Sequence, residues 1–440
     1  MIRDIQRLVD KTPFVDTHEH LWEEKSRIAA LQKDAVKNAW APDFGLLFCH
    51  YANSDLLVAG MPADDMTQLF SYDVEVDDKW KLFAPWYDRS RHTGYVQCVR
   101  ESVQLVFDED DLDATTYRRI SDKVRAQIAP GYYNSVLREK ALVEHTHVNS
   151  LEGSILQETE YPDLLCQDLS IVAMSTGLSN ASIIRLCELA HRSVASLKDW
   201  YGIIDWCFET YGPRAIALKS QSAYGRRLNF DLVDEATAAP LFEAMLKDEK
   251  AMTPEQVKAL QDHLFHYVVE KSIETNLPIK LHTGYFAGQG GMPLERVKAN
   301  LSDLCPIFKQ YPKARFVVMH IAYPYQDEAI AIAKHYPNVY IDLCWAWIIN
   351  PLASVRFTKE FLMAVPHNKL LTFGGDYIVV ELVPGHARIA RRGLAQAVSE
   401  LVKEDWLRER EAPELIDRIM RGNAHELFDY EGTLQAWNKA

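Results

Sequence analysis

The feature that most constrains this chain is a series of short apolar runs, each closed by a polar residue. Residues 13–20 read Pro-Phe-Val-Asp-Thr-His-Glu-His, 214–219 Arg-Ala-Ile-Ala-Leu-Lys, and 277–282 Leu-Pro-Ile-Lys-Leu-His. Residues 315–320 read Arg-Phe-Val-Val-Met-His, 338–342 Asn-Val-Tyr-Ile-Asp, and 370–376 Leu-Leu-Thr-Phe-Gly-Gly-Asp. A strand without polar alternation is buried on both faces, which is the condition of a strand in a parallel sheet. Helical spacing separates the runs: Val257, Leu260, Leu264, Val268 and Ile273 mark 255–275, and 325–335 and 386–402 behave alike. Strand alternating with helix implies a parallel sheet. Two further strands near 142–148 and 164–171 bring the number to eight, which predicts an α/β fold, a (β/α)8 TIM barrel.

Residues 23–140 interrupt this alternation. The stretch is rich in Trp, Tyr and Asp, shows helical periodicity at 115–128, and is too long for a loop. It reads as a mostly helical insertion after strand 1, so the expected organisation is a barrel from 1–22 and 141–440 with the insertion at 23–140. A shorter excursion, 224–256, follows strand 4. The length of 440 residues suits one large barrel plus an insertion. A net charge of −14 disfavours phosphate backbones and anionic membranes, which leaves a small molecule as the expected partner and argues against nucleic acid. No apolar run of about 18 residues is present, so no membrane span is expected. Seven scattered cysteines without a CxxC pair argue against a disulfide framework. No apolar core of a signal peptide follows Met1-Ile2-Arg3, and the expected location is cytoplasmic. The aromatic-rich insertion offers surface for a homo-oligomer.

Reactive residues of a parallel barrel sit at the C-terminal ends of its strands. The residues that close the runs are His18, His20, Lys219, His282, His320 and Asp376. His18 and His20 stand two apart on a strand, so both point to one face, here the barrel interior. Neutral imidazoles there suit zinc and similar divalent ions, and His282, His320 and Asp376 extend the set. Lys219 has three readings: a carbamate bridging two metals, an ammonium binding a substrate carboxylate, or a salt bridge to a neighbouring acid. Asp376 follows two glycines, which let backbone and metal-bound solvent approach closely. In a hydrolase it would orient a water whose pKa the metal lowers from about 15.7 toward about 7, and pass its proton to the leaving group. Tyr224, Arg226 and Arg227 after strand 4, Tyr323 and Tyr325 after strand 6, and Trp345 and Trp347 after strand 7 are candidates for the substrate pocket. Residues 284–291 read as a flexible substrate loop, not a nucleotide signature. A second HxH, His145 and His147, lacks matching partners and is secondary.

These residues resemble a known family. Val15-Asp16-Thr17-His18-Glu19-His20 is similar to the first-strand signature of the amidohydrolase superfamily, and the order His-x-His, Lys, His, His, Asp matches its metal-binding pattern. Residues 216–225, 279–284, 319–324 and 336–342 resemble the amidohydrolase domain of nodulin and FluG-type glutamine-synthetase-like proteins. The long insertion and Val136-Leu137-Arg138-Glu139-Lys140-Ala141 are also similar to uronate isomerase. The resemblance implies a barrel of the metal-dependent hydrolase type holding one or two divalent metals, usually zinc. In uronate isomerase the metal is held mainly by residues matching His18, His20 and Asp376, and on that pattern Lys219 and His320 would face substrate.

The resulting expectation is an amidohydrolase-type hydrolase acting on a C–N bond of a small polar, carboxylate-bearing substrate. His18, His20, His282, His320 and Asp376 would hold metal, Lys219 would bridge if carboxylated, and Asp376, His320 and Lys219 would be catalytic. The alternatives are a sugar-acid isomerase, a decarboxylase, and an inactive binding barrel.

Overall fold

The computed structural model describes residues 2–33, 40–151, 153–288 and 291–439. Eight parallel strands form one sheet in chain order: β1 (Phe14–Glu19), β2 (Val143–Val148), β3 (Leu165–Ser170), β4 (Ala215–Ser220), β5 (Ile279–Leu281), β6 (Phe316–Val318), β7 (Val339–Asp342) and β8 (Leu370–Leu371). The barrel closes through the segment after β8. Thr17 N–H donates to Phe373 O, Asp376 N–H to His18 O and His20 N–H to Tyr377 O, each at 2.9 Å. The expected (β/α)8 barrel is the observed fold.

Helices lie where the periodicity predicts them. The 255–275 pattern becomes Pro254–Glu274, opened by a capping box in which the Thr253 side chain accepts from Gln256 N–H. The 325–335 and 386–402 patterns become Gln326–His335 and Val383–Lys403. The strands are shorter than their apolar runs, and this moves four of the polar residues read as strand ends. His20 follows β1 and His282 follows β5. His320 lies in a tight turn over Met319–Ala322, and Asp376 stands beyond β8 in the closing segment. The register of β1 against β2 shifts on both sides of Asp16. Such an irregularity re-aims side chains. Thr17 therefore reaches Asp342 inside the barrel (Oγ1 to Oδ2, 2.6 Å), although His18 next to it also faces inward.

Between β1 and β2 run the helices Glu24–Ala29, Ala52–Val58, Ala63–Phe70, Val76–Ser90, Gly94–Phe107 and Tyr117–Gln127, with shorter turns. Their apolar side chains, such as Phe48, Phe83, Val99 and Val103, join those of the barrel helices in one continuous core. Gly94–Phe107 packs on Val383–Lys403 so tightly that a Cβ on Gly385 would stand 2.2 Å from Cys98 O, which only glycine avoids. A buried ion pair, Arg27 to Glu381 at 2.7 Å, ties the same segment to the chain just past Asp376. The barrel floor is a separate apolar cluster of Val15, Cys166, Ile216, Val317 and Leu371, plugged by Leu427 and Phe428. Among the described residues no helix is long and apolar enough to cross a membrane.

Candidate metal centre and active site

Three donor atoms converge at the junction of β1 and the closing segment. His18 Nε2 is 3.3 Å from His20 Nε2, and each is 3.2 Å from Asp376 Oδ1. Nitrogen and oxygen ligands about 2.0–2.1 Å from a tetrahedral ion stand about 3.3 Å apart, so the set fits one divalent cation without rearrangement. All three side chains are buried. The far nitrogen of His20 is anchored, Nδ1 meeting Asn149 O at 2.6 Å, whereas His18 Nδ1 makes no hydrogen bond and faces Asp168 Oδ2 at 3.7 Å.

The other expected ligands form a looser group. His320 Nε2 lies 3.0 Å from His282 Nδ1 but 3.9 Å from Asp376 Oδ2. His320 Nδ1 meets Cys344 O at 2.9 Å, and His282 Nε2 meets Tyr285 O at 3.0 Å. His320, Cys344 and Asp376 offer atoms within 4.8 Å of one another, a wider set that shares Asp376 with the first. Lys219 Nζ contacts His18 Nε2 at 3.1 Å and Met319 Sδ at 2.9 Å. No acid among the described residues pairs with it within 4.0 Å, which removes the salt-bridge reading. Burial pushes the Lys219 ammonium down to about 8.

Burial also sets the charge of the histidines. His18 is pushed down to about 4 by burial and then by the Lys219 charge, and burial takes His320 to about 3. Both stand as neutral donors of electron pairs, the form a metal takes. Burial alone would raise Asp376, but hydrogen bonds from His18 and His20 hold its carboxyl well below the usual range.

The backbone around the site is strained. Tyr51, His320, Ile321, Ala322, Trp345 and Asp376 have φ of 66°, 63°, 48°, 53°, 62° and 62°. A left-handed conformation in a non-glycine residue costs on the order of 1–3 kcal/mol and persists only where packing enforces it. Close packing before Asp376 is one such constraint. A Cβ on Gly375 would stand 1.8 Å from Glu19 Oε1. The glycine thus makes room for Glu19, whose Oε2 accepts from Tyr377 N–H at 2.6 Å. This corrects the reading that the glycines admit solvent.

A cavity of about 320 Å³ opens over the metal cluster among His20, His50, Tyr51, Gln221, Tyr224 and His282. Of the expected substrate residues, Tyr224 is in this wall, its hydroxyl accepting from Ala287 N–H at 3.1 Å. Trp345 is fully buried, stacked on Tyr51 (4.6 Å between centroids) and edge-on to His320 (5.2 Å). Arg226 and Arg227 stand elsewhere, paired with Asp262 and Asp303. Tyr323 OH accepts from Asn350 Nδ2 at 3.3 Å, Tyr325 is exposed, and Trp347 is a core residue donating to Thr372 O at 2.8 Å. Of the expected glycine-rich loop, Phe286 and Ala287 pack beside Tyr224 and His282, whereas Gln289 and Gly290 lie outside the described residues. His50 and Tyr51 were invisible to sequence reasoning, because they sit in the insertion with no motif around them. Gln221, two residues past Lys219, was within reach of the strand-end rule but was passed over.

A family model described as amidohydrolase matches residues 191–430. This chain belongs to that amidohydrolase family. Protein fluG of Emericella nidulans is 30% identical over 36% of this chain, a match spanning only 19% of fluG. Uronate isomerase of Xanthomonas axonopodis pv. citri is 22% identical over 94% of this chain and 92% of its own length. The crystal structure of uronate isomerase from Thermotoga maritima has a TM-score of 0.77 at 17% identity, covering 97% of both chains. The expectation of C–N bond hydrolysis is overturned by these likenesses: the curated relatives from Xanthomonas that match more than nine-tenths of this amidohydrolase-family chain are uronate isomerases.

Proposed function

We propose that this chain is a metal-dependent isomerase interconverting the aldose and ketose forms of a sugar acid. The observation that carries the reading is end-to-end likeness to uronate isomerases, insertion included, over a site with one compact ligand set. His18, His20 and Asp376 would hold a single divalent ion, for which two imidazoles and a carboxylate favour zinc. When bound, that ion supplies charge stabilisation for substrate oxygens.

Isomerisation moves one proton between adjacent carbons and another between their oxygens. The chain must therefore offer proton-exchanging groups beside the metal ligands. Of those lining the cavity, both nitrogens of His282 are occupied and the Tyr224 hydroxyl already accepts a hydrogen bond. His50 Nδ1 is shielded and unpartnered. Burial pushes His50 down to about 3 against the opposing Asp376 charge, so it stands neutral, with an unpartnered Nδ1 to offer a substrate hydroxyl. Tyr51 is held firmly protonated by burial and then by the Asp376 carboxylate, to which its hydroxyl donates, so it steadies that carboxylate at the cavity wall. His50 stacks on Tyr51 at 4.0 Å, so the two stand together in that wall.

The test is incubation of the metal-loaded protein with a panel of aldo- and keto-uronates in deuterated water, followed by NMR. Interconversion with deuterium entering a carbon position is expected. Release of an amine, with solvent oxygen entering a carboxylate, would sink the reading.

A further inference from the structure

The two histidines that begin the metal cluster are steadied differently. The far nitrogen of His20 rests on a backbone carbonyl, as does that of His320. His18 Nε2 faces His20, Asp376 and Lys219, which turns its Nδ1 toward a carboxylate, Asp168 Oδ2, at 3.7 Å. Asp168 lies in the interior of β3, with no solvent access. It is gripped from below by Lys280 of β5, whose Nζ lies 2.8 and 2.9 Å from its two oxygens. The same ammonium donates to Thr17 O at 2.8 Å, one residue before His18, and meets His147 Nδ1 at 3.0 Å. This layer absorbs half of the second HxH, for which the metal site has no use: His147 is an acceptor for Lys280, and His145 stacks on Tyr430 at 4.2 Å nearer the barrel floor.

A charged pair in the middle of a barrel demands a reason. Removing two ions from water costs several kcal/mol each, and apolar replacement of such pairs is often neutral or stabilising. Lys280 engages both oxygens of Asp168, and Oδ2 of that carboxylate faces Nδ1 of His18. The pair thus places a carboxylate beside the His18 ring. A metal-ligating imidazole needs its proton on the far nitrogen, and a carboxylate there fixes tautomer and ring orientation.

We propose that Asp168, held in place by Lys280, is a positioning residue that keeps the His18 ring oriented, with Nδ1 toward the carboxylate and Nε2 aimed at the metal. The inference rests on the metal reading above. Its consequence is a preorganised ligand set: without Asp168, the His18 ring is free to turn or to carry its proton on Nε2, and metal capture must first return the ring to place with that proton on Nδ1.

Metal affinity of the purified chain, read by competition with a chromophoric chelator, tests this without any need for turnover. Asp168→Asn alone leaves Lys280 buried and unpaired and is open to misfolding, so the deciding variant is the double replacement Asp168→Asn with Lys280→Met. We expect it to melt close to the wild-type temperature and to bind zinc about 10–100-fold more weakly. Asp168→Glu should recover part of the loss. A folded double variant that binds zinc as tightly as wild type overturns the proposal and leaves the metal reading intact. A wild-type chain that binds no divalent ion overturns both.

Discussion

The two halves of the barrel rim carry similar residues in dissimilar arrangements. At β1 and the closing segment, His18, His20 and Asp376 place three donor atoms within 3.3 Å of one another. At β5 and β6, His282 and His320 face each other at 3.0 Å, and the nearest approach to Asp376 is 3.9 Å. One half is shaped around a point between its side chains, whereas the other satisfies itself. The contrast teaches that a series of strand-end histidines is not a single ligand shell: each ring nitrogen has to be followed to its partner before a role is given.

The largest effect expected from this contrast is at the tight half. Asp376→Asn preserves shape and tolerance of the left-handed backbone, yet should abolish metal retention and lower kcat/KM by on the order of 10⁴-fold, checked by metal analysis and steady-state kinetics. His18→Ala should do likewise. Equal loss of metal in His320→Asn would break the comparison.

Acidification is next in size. Burial pushes His18 to about 4 and His50, His145, His320 and His386 to about 3. Each is neutral in the folded state but gains a proton below about 6.5 when unfolded. These histidines therefore bind more protons in the unfolded chain between about pH 6.5 and 3–4, and their contribution to stability falls as pH falls through that window. It is opposed in part by the buried Asp16 and Asp342 carboxyls, raised to about 7 and about 6, which take up protons in the folded chain. At pH 5 each group should cost about 2 kcal/mol. Urea unfolding of metal-free protein at pH 7 and pH 5 measures this, and an unchanged midpoint would contradict the burial of these rings.

At the looser half, His282→Gln and His320→Asn should retain metal while lowering kcat/KM about 10–100-fold, the scale of a lost polar contact to substrate or of weakened proton transfer. Gly375→Ala should lower stability by about 1–3 kcal/mol, because its Cβ would collide with Glu19, and calorimetry reads the shift. The smallest effect belongs to Arg227, whose partner Asp303 lies outside the cavity and whose own side chain is 56% exposed. Arg227→Ala should change stability by less than about 1 kcal/mol and kcat/KM by less than about twofold.

The sequence by itself determined the barrel. Apolar runs such as Phe316-Val317-Val318 and helices such as Pro254–Glu274 are local patterns, and a strand buried on both faces has few architectures open to it. It also marked His18, His20 and Asp376, because the strand-end rule ties chemistry to position in the chain. Only the tertiary structure decided the rest. Shortened strands and a register shift in β1 turned Thr17, His320 and Asp376 in directions that simple alternation does not give. His50 and Tyr51 reach the cavity from a segment with no periodic signature, and Lys280 meets Asp168 across the barrel, 112 positions away in the chain. Periodicity records which face of an element is buried. It does not record which buried groups meet, since that depends on closing the sheet and on the strained turns that closure imposes at the rim.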